Sequence, residues 1–166
     1  EVFLSSLGVI RDEVTAAGKK LVLATYADYR AADAVPPEAA ISLARNLGVQ
    51  WLLIDTFDKR GPSLLEWMPH AKLASWLAAC HAADLRTAVA GRLSADDFVS
   101  LPWDLIDVVG VRGAACGGNR LADIDPAAVR RLATSWHQRR TAPPFAAQPP
   151  TRTCDPRLHA AVRIIK

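Results

Sequence analysis

Asp55 and Lys59 stand four residues apart at the end of a short apolar run, Trp51-Leu52-Leu53-Ile54, in a segment closed by Gly61-Pro62. An acid and an amine placed there can transfer protons or bind an anionic substrate. Lys59 has two chemistries open to it. A desolvated amine can form a Schiff base with a carbonyl substrate. A charged ammonium can hold a phosphate or stabilise developing negative charge. The residues do not decide between them.

Other groups stand at comparable places. Tyr26, Asp28 and Arg30 follow Leu21-Val22-Leu23-Ala24-Thr25. Gly91-Arg92 follows Thr87-Ala88-Val89-Ala90, and Arg112-Gly113, then Gly117-Gly118-Asn119-Arg120, follow the run from Ile106 to Val111. Glycines let backbone N–H groups approach an anion. In closed parallel barrels the last two strand-end loops often bind a phosphate, which makes Gly91, Arg112 and Gly113 candidates for such a site. Ordinary tight turns use the same residues.

These groups need elements that bring them to one edge. Apolar positions at helical spacing predict helices over 2–17, from Pro37 to Gly48, over 70–83 and from Pro126 to about Arg139, with a short helical turn at 64–67. Ser94 is expected to cap a short helix containing Phe98 and Val99. Four apolar runs, at 21–25, 51–54, 87–90 and 106–111, predict strands. A helix followed by four strand–helix units implies parallel pairing and right-handed crossovers. The predicted class is α/β. Four such units are half of a (β/α)8 barrel, and a flavodoxin-like open sheet is the other architecture with this alternation. In both, the carboxyl ends of the strands form the binding edge.

Residues 1–140 are expected to form this domain. Thr141 to Pro150 holds four prolines in ten residues and reads as a linker. Residues 151–166 are then a tail or a strap across the domain.

The totals bound the function. The 166 residues are 51% hydrophobic and 22% charged, with a net charge of +3, enough apolar content for a core. Much of the positive excess lies in the last third, and the aromatics are mostly tryptophans inside apolar runs. That pattern disfavours nucleic-acid binding and suits an anionic small molecule. Trp51, Trp67, Trp76, Trp103 and Trp136 are expected to pack the core. Cys80, Cys116 and Cys154 form no CxxC pair, and His70, His81, His137 and His159 have no metal-ligand spacing, so neither a metal nor a cofactor is expected. Cys116 is expected to fill a crowded loop. The cysteine usage and the lack of a long apolar run point to a cytoplasmic protein with no membrane contact and no leader. The chain begins at Glu1, so its natural start is expected upstream or within a longer polypeptide.

Four segments together resemble one family. They are Leu23-Ala24-Thr25-Tyr26-Ala27-Asp28; Ile54-Asp55-Thr56 with Lys59 and Gly61; Ala88-Val89-Ala90-Gly91; and Asp107 to Cys116 with Arg120. In order and spacing they resemble (5-formylfuran-3-yl)methyl phosphate synthase, also called 4-(hydroxymethyl)-2-furancarboxaldehyde-phosphate synthase, across roughly residues 5–135. The resemblance implies the C-terminal half of a (β/α)8 barrel. It implies a lyase-type reaction that condenses two molecules of glyceraldehyde 3-phosphate into a furan aldehyde phosphate, with loss of one phosphate and water, for methanofuran-type cofactor synthesis in one-carbon metabolism. It places Asp55 and Lys59 at active-site positions, with Asp28 at the same mouth.

The resemblance also implies that the family's Schiff-base lysine and a second catalytic lysine belong to strands one to four, which have no counterpart here. Where the family usually has Gly-Tyr-Ala-Asp, Ala-Gly-Ser and Lys-Asp-Gly, this chain has Thr25-Tyr26-Ala27-Asp28, Ala90-Gly91-Arg92 and Lys59-Arg60-Gly61. Arg60 makes the mouth more basic, and Arg92 either adds a phosphate contact or blocks one. The expected partners are a triose phosphate and an N-terminal half-barrel or a second copy, because a half-barrel exposes strand edges. The alternative is a non-catalytic sugar-phosphate-binding or assembly subunit that lacks the Schiff-base lysine.

Overall fold

A computed structural model describes residues 2–119, 121–140 and 163–164. The elements run α1 (Val2–Ala16), β1 (Val22–Tyr26), α2 (Pro37–Asn46), β2 (Trp51–Asp55), α3 (Leu64–Trp67), α4 (His70–Ala82), β3 (Arg86–Val89), β4 (Val108–Val111), α5 (Pro126–Arg140) and β5 (Arg163–Ile164). Short 3-10 turns cover Asp97–Val99, Trp103–Leu105 and Ala114–Cys116. The linker expected at 141–150, the tail at 151–162, and Arg120 lie outside the described residues.

All strand pairs are parallel, and the spatial order is β1-β2-β3-β4-β5. The order follows the chain and has no reversal of the kind that marks the switch point of a doubly wound sheet. Apolar residues pair in register: Leu23 with Leu52, Leu53 with Ala88, and Ile54 with Val89.

The two faces of the sheet differ. One carries Thr25, Leu52, Ile54, Thr87, Val89, Val109 and Val111, all buried. Helices cover it: α2 packs on β1 and β2, and α4 packs on β3. Ala40, Ala44, Leu73, Leu77, Leu132 and Trp136 join these strand residues in one core. The other face carries Val22, Ala24, Trp51, Leu53, Ala88 and Val108; of these only Ala88 is buried, and Val22 is 44% exposed. A parallel sheet normally buries both faces, which is why its strands read as continuous apolar runs. Here the sequence has that pattern, and the described residues leave one face uncovered.

Several local expectations shift by a residue or two. β1 and β3 are displaced by about one residue from the predicted runs. β4 begins at Val108 rather than Ile106, because Trp103–Leu105 forms a 3-10 turn and Asp107 is used as a clamp described below. The helix expected after Ser94 is only a 3-10 turn at Asp97–Val99. Ser94 still serves it, since the Ser94 N–H and hydroxyl both donate to Asp97 Oδ2.

Trp76, Trp103 and Trp136 pack the core as expected, and Trp103 lies edge-on to Trp136 with centroids 4.9 Å apart. Trp51 is only half-buried and Trp67 is 43% exposed, because α3 is a single turn with its apolar anchor at Leu64. The apolar stripe of α1 is also only partly covered, with Val9 59% and Ile10 45% exposed.

Candidate functional site

β2 ends at Asp55, and its side chain lies on the uncovered face of the sheet, in register with Tyr26. One carboxylate oxygen accepts the N–H of Thr56 at 2.7 Å. The other forms an ion pair with Lys59 Nζ at 2.7 Å. Lys59 also donates to the carbonyl of Thr56. The ammonium is therefore folded back over the strand end by the turn that carries it. The pair remains reachable, with side-chain exposures of 20% for Asp55 and 36% for Lys59.

Asp28 lies in the loop after β1 and is buried. Its two oxygens accept the N–H groups of Phe57 at 2.7 Å and Asp58 at 2.9 Å. A carboxylate that accepts two backbone donors makes strong, charge-assisted bonds. Asp28 thus anchors the segment between Asp55 and Lys59. Asp58 then folds the turn onward: its Oδ1 accepts the N–H of Arg60 at 2.8 Å. Tyr26 and Phe57 meet edge-on beside this segment, centroids 5.7 Å apart.

Gly91 connects the next strand end to the same place. Its carbonyl accepts the Leu64 N–H at 2.9 Å. Its φ is +117°, and a Cβ there would lie 3.0 Å from Leu64 Cβ and 3.1 Å from both the backbone nitrogen and Cγ2 of Thr56. Only glycine meets both demands. Arg92 follows, exposed, and its guanidinium donates to the carbonyl of Gly61. Glu66 completes this corner. Its carboxyl lies below the usual range because it accepts the N–H and hydroxyl of Ser63, with a smaller contribution from the Arg92 charge.

Arg112 and Gly113 stand at the end of β4, two strands from β2, which is roughly 10 Å along the sheet edge at normal strand spacing. The Gly113 carbonyl accepts from Cys116 at 3.0 Å and Gly118 at 2.8 Å, closing a tight turn. The geometry therefore brings Asp28, Asp55, Lys59 and Gly91 into one connected group. Arg112 and Gly113 share the edge with it and stand apart from it. Cys116 is buried inside this turn. Cys80 is buried in the core, and desolvation pushes its thiol up to about 12. Among the described residues no group of His, Cys, Asp and Glu is arranged to hold a metal ion, and no helix is long and apolar enough to cross a membrane.

Two participants, Asp58 and Thr56, receive no role from the sequence. Asp58 has a signal there, since an Asp two residues before an amide is a common side-chain turn. Thr56 has none: it is fully buried and its Oγ1 has no hydrogen-bond partner. A groove of about 530 Å³ runs elsewhere, lined by Ala127, Arg130, Arg131, Thr134 and Ser135 of α5 alone. It gathers nothing from the strand ends, so the site is located by its chemistry and not by that concavity.

A family model described as 4-HFC-P synthase matches residues 4–133. The chain belongs to this family. Among relatives of the 4-HFC-P synthase family, (5-formylfuran-3-yl)methyl phosphate synthase of Methanosarcina barkeri is 33% identical over 114 residues, 69% of this chain and 49% of that protein. Proteins of the same name from Methanothermobacter thermautotrophicus and Methanocaldococcus jannaschii are 37% and 36% identical, over 60% and 61% of this chain and 43% and 44% of theirs. The chain spans about half the length of the curated relatives it matches.

Proposed function

We propose that this chain is the C-terminal half of a (β/α)8-barrel synthase that condenses two glyceraldehyde 3-phosphate molecules into a furan aldehyde phosphate, a lyase-type reaction serving methanofuran-type cofactor synthesis. The observation that carries this reading is the Asp55–Lys59 pair, 2.7 Å apart and open to solvent at the carboxyl end of a parallel sheet in a member of this family.

Asp55 takes a proton from the carbon beside a substrate carbonyl. The Lys59 ammonium offsets the negative charge that develops on oxygen and donates a proton of its own, and the proton held on Asp55 then passes across the pair to restore Lys59. The ion pair favours this role for Lys59 over a Schiff base, because an amine bonded to a carboxylate is a cation and not a free nucleophile. Asp28 holds the turn that carries both groups. Gly91, Arg112 and Gly113 lie where a barrel of this kind receives a substrate phosphate.

The uncovered apolar face supports a partner. Val22, Ala24 and Leu53 line it. The occupant that fits is the complementary half-barrel, whether on the same polypeptide or on another. It supplies four more parallel strands and the Schiff-base lysine that the family resemblance assigns to that half.

The test is a furan-product assay with glyceraldehyde 3-phosphate, on this chain alone and mixed with the N-terminal half of a relative. The expected result is product only in the mixture, lost in Asp55→Asn and Lys59→Met. A folded complex of the two halves that makes no product would sink the enzyme reading and leave a sugar-phosphate-binding subunit in its place.

A further inference from the structure

Arg92 is out of place by the ordinary rules of backbone conformation. Among the described residues, three other than glycine have positive φ: Asp33, Asp84 and Arg92. Aspartate tolerates that region, because its short side chain bonds locally, and arginine is not favoured there. Gly91, with φ +117°, precedes Arg92, so two consecutive residues take positive φ at the start of the loop after β3. A second glycine would hold this bend with less strain, and yet the position carries a long cation.

The guanidinium accounts for it. It reaches from the loop after β3 to the loop after β2 and donates to the carbonyl of Gly61. Gly61 ends the turn that begins at Asp55 and carries Lys59. That turn has three fastenings. Asp28 holds its start, through Phe57 and Asp58. Asp58 holds its middle, through Arg60. Arg92 holds its end.

Gly61 is also tucked tightly under Asp58, since a Cβ at Gly61 would lie 3.0 Å from Asp58 Oδ2. Movement of Gly61 is therefore passed back to Asp58 and Lys59. The Leu64 N–H on the Gly91 carbonyl runs alongside, so the two loops are stitched twice.

We infer that Arg92 is a positioning residue for Lys59: its contact with the Gly61 carbonyl keeps the Asp58–Gly61 turn closed and the Lys59 ammonium against Asp55. The inference rests on reading Lys59 as the working cation. The experiment follows where the amine sits and not turnover, so the two can fail separately.

The full chain is labelled with a limiting amine-reactive reagent, and modification of Lys59 and of the exposed Lys72 is followed by mass spectrometry. In Arg92→Gly, which removes the guanidinium and relieves the left-handed strain, Lys59 is expected to react about threefold faster, the size of effect an exposed charged contact supports. Lys72 should keep its rate, and the melting temperature should hold or rise. Arg92→Lys, which keeps a donor on a different head group, should fall between the two. An unchanged Lys59 rate in folded Arg92→Gly overturns the inference. So does a parallel acceleration at Lys59 and Lys72 with a lower melting temperature, which would mean general loosening.

Discussion

The two ends of the sheet each carry a carboxylate at their centre, and they use it differently. At the amino end, Asp107 precedes β4 and binds across to β3. Its Oδ1 pairs with Arg86 at 2.8 Å, and its Oδ2 accepts the Thr87 N–H at 2.8 Å, with the Thr87 hydroxyl at 3.3 Å. Every one of these bonds joins one strand to its neighbour. At the carboxyl end, Asp55 pairs with Lys59 of its own following turn and ties no second strand. The buried Asp28 is the member of that end that binds across, from the loop after β1 to the loop after β2. Charges that join elements are tied to stability. A partly exposed pair within one turn contributes less to it, and so is free for chemistry.

This contrast can be broken from its strongest side. Asp28→Ala strips the acceptors from two backbone N–H groups beneath a buried position. It should destabilise the chain by about 3 kcal/mol in urea unfolding, twice the typical loss for one charge-assisted bond. A change below about 1 kcal/mol would mean that Asp28 does not hold the turn. Asp107→Ala should come next, at about 2 kcal/mol, because Arg86 is partly exposed and water replaces part of what it loses. An equal or larger loss than Asp28→Ala would reverse the ranking of the two clamps.

The smallest effect is the one that sharpens the comparison. Lys59→Met and Asp55→Asn should each change stability by less than about 1 kcal/mol, because this partly exposed pair joins residues of one turn and ties no second strand. Both should nevertheless abolish product formation in the proposed assembly of the two halves. If either change unfolds the chain, the pair is a structural clamp like Asp107, and the separation between the two ends disappears.

Much of this was readable from local pattern. The strands around Leu23, Leu52, Ala88 and Val109, the helices between them, and their parallel order follow from apolar spacing, because periodicity is decided within a few residues. Gly18 and Gly48 close α1 and α2 with φ +65°, where the sequence places helix ends. The i,i+4 spacing of Asp55 and Lys59 is also local, and one turn of chain is enough to bring them together.

What the sequence could not show are the contacts that cross the crossovers. Asp28 meets Phe57 across 29 residues, Arg92 meets Gly61 across 31, and Arg86 meets Asp107 across 21. Those partners are chosen by strand register, which places each loop beside its neighbour only once the sheet has formed. The same holds for the faces of the sheet. The strands read as apolar on both sides, and only the packing of α2, α4 and α5 decided which side the described chain covers and which it leaves open beside Asp55. Side-chain spacing is a property of the chain alone, and burial is a property of what packs against it.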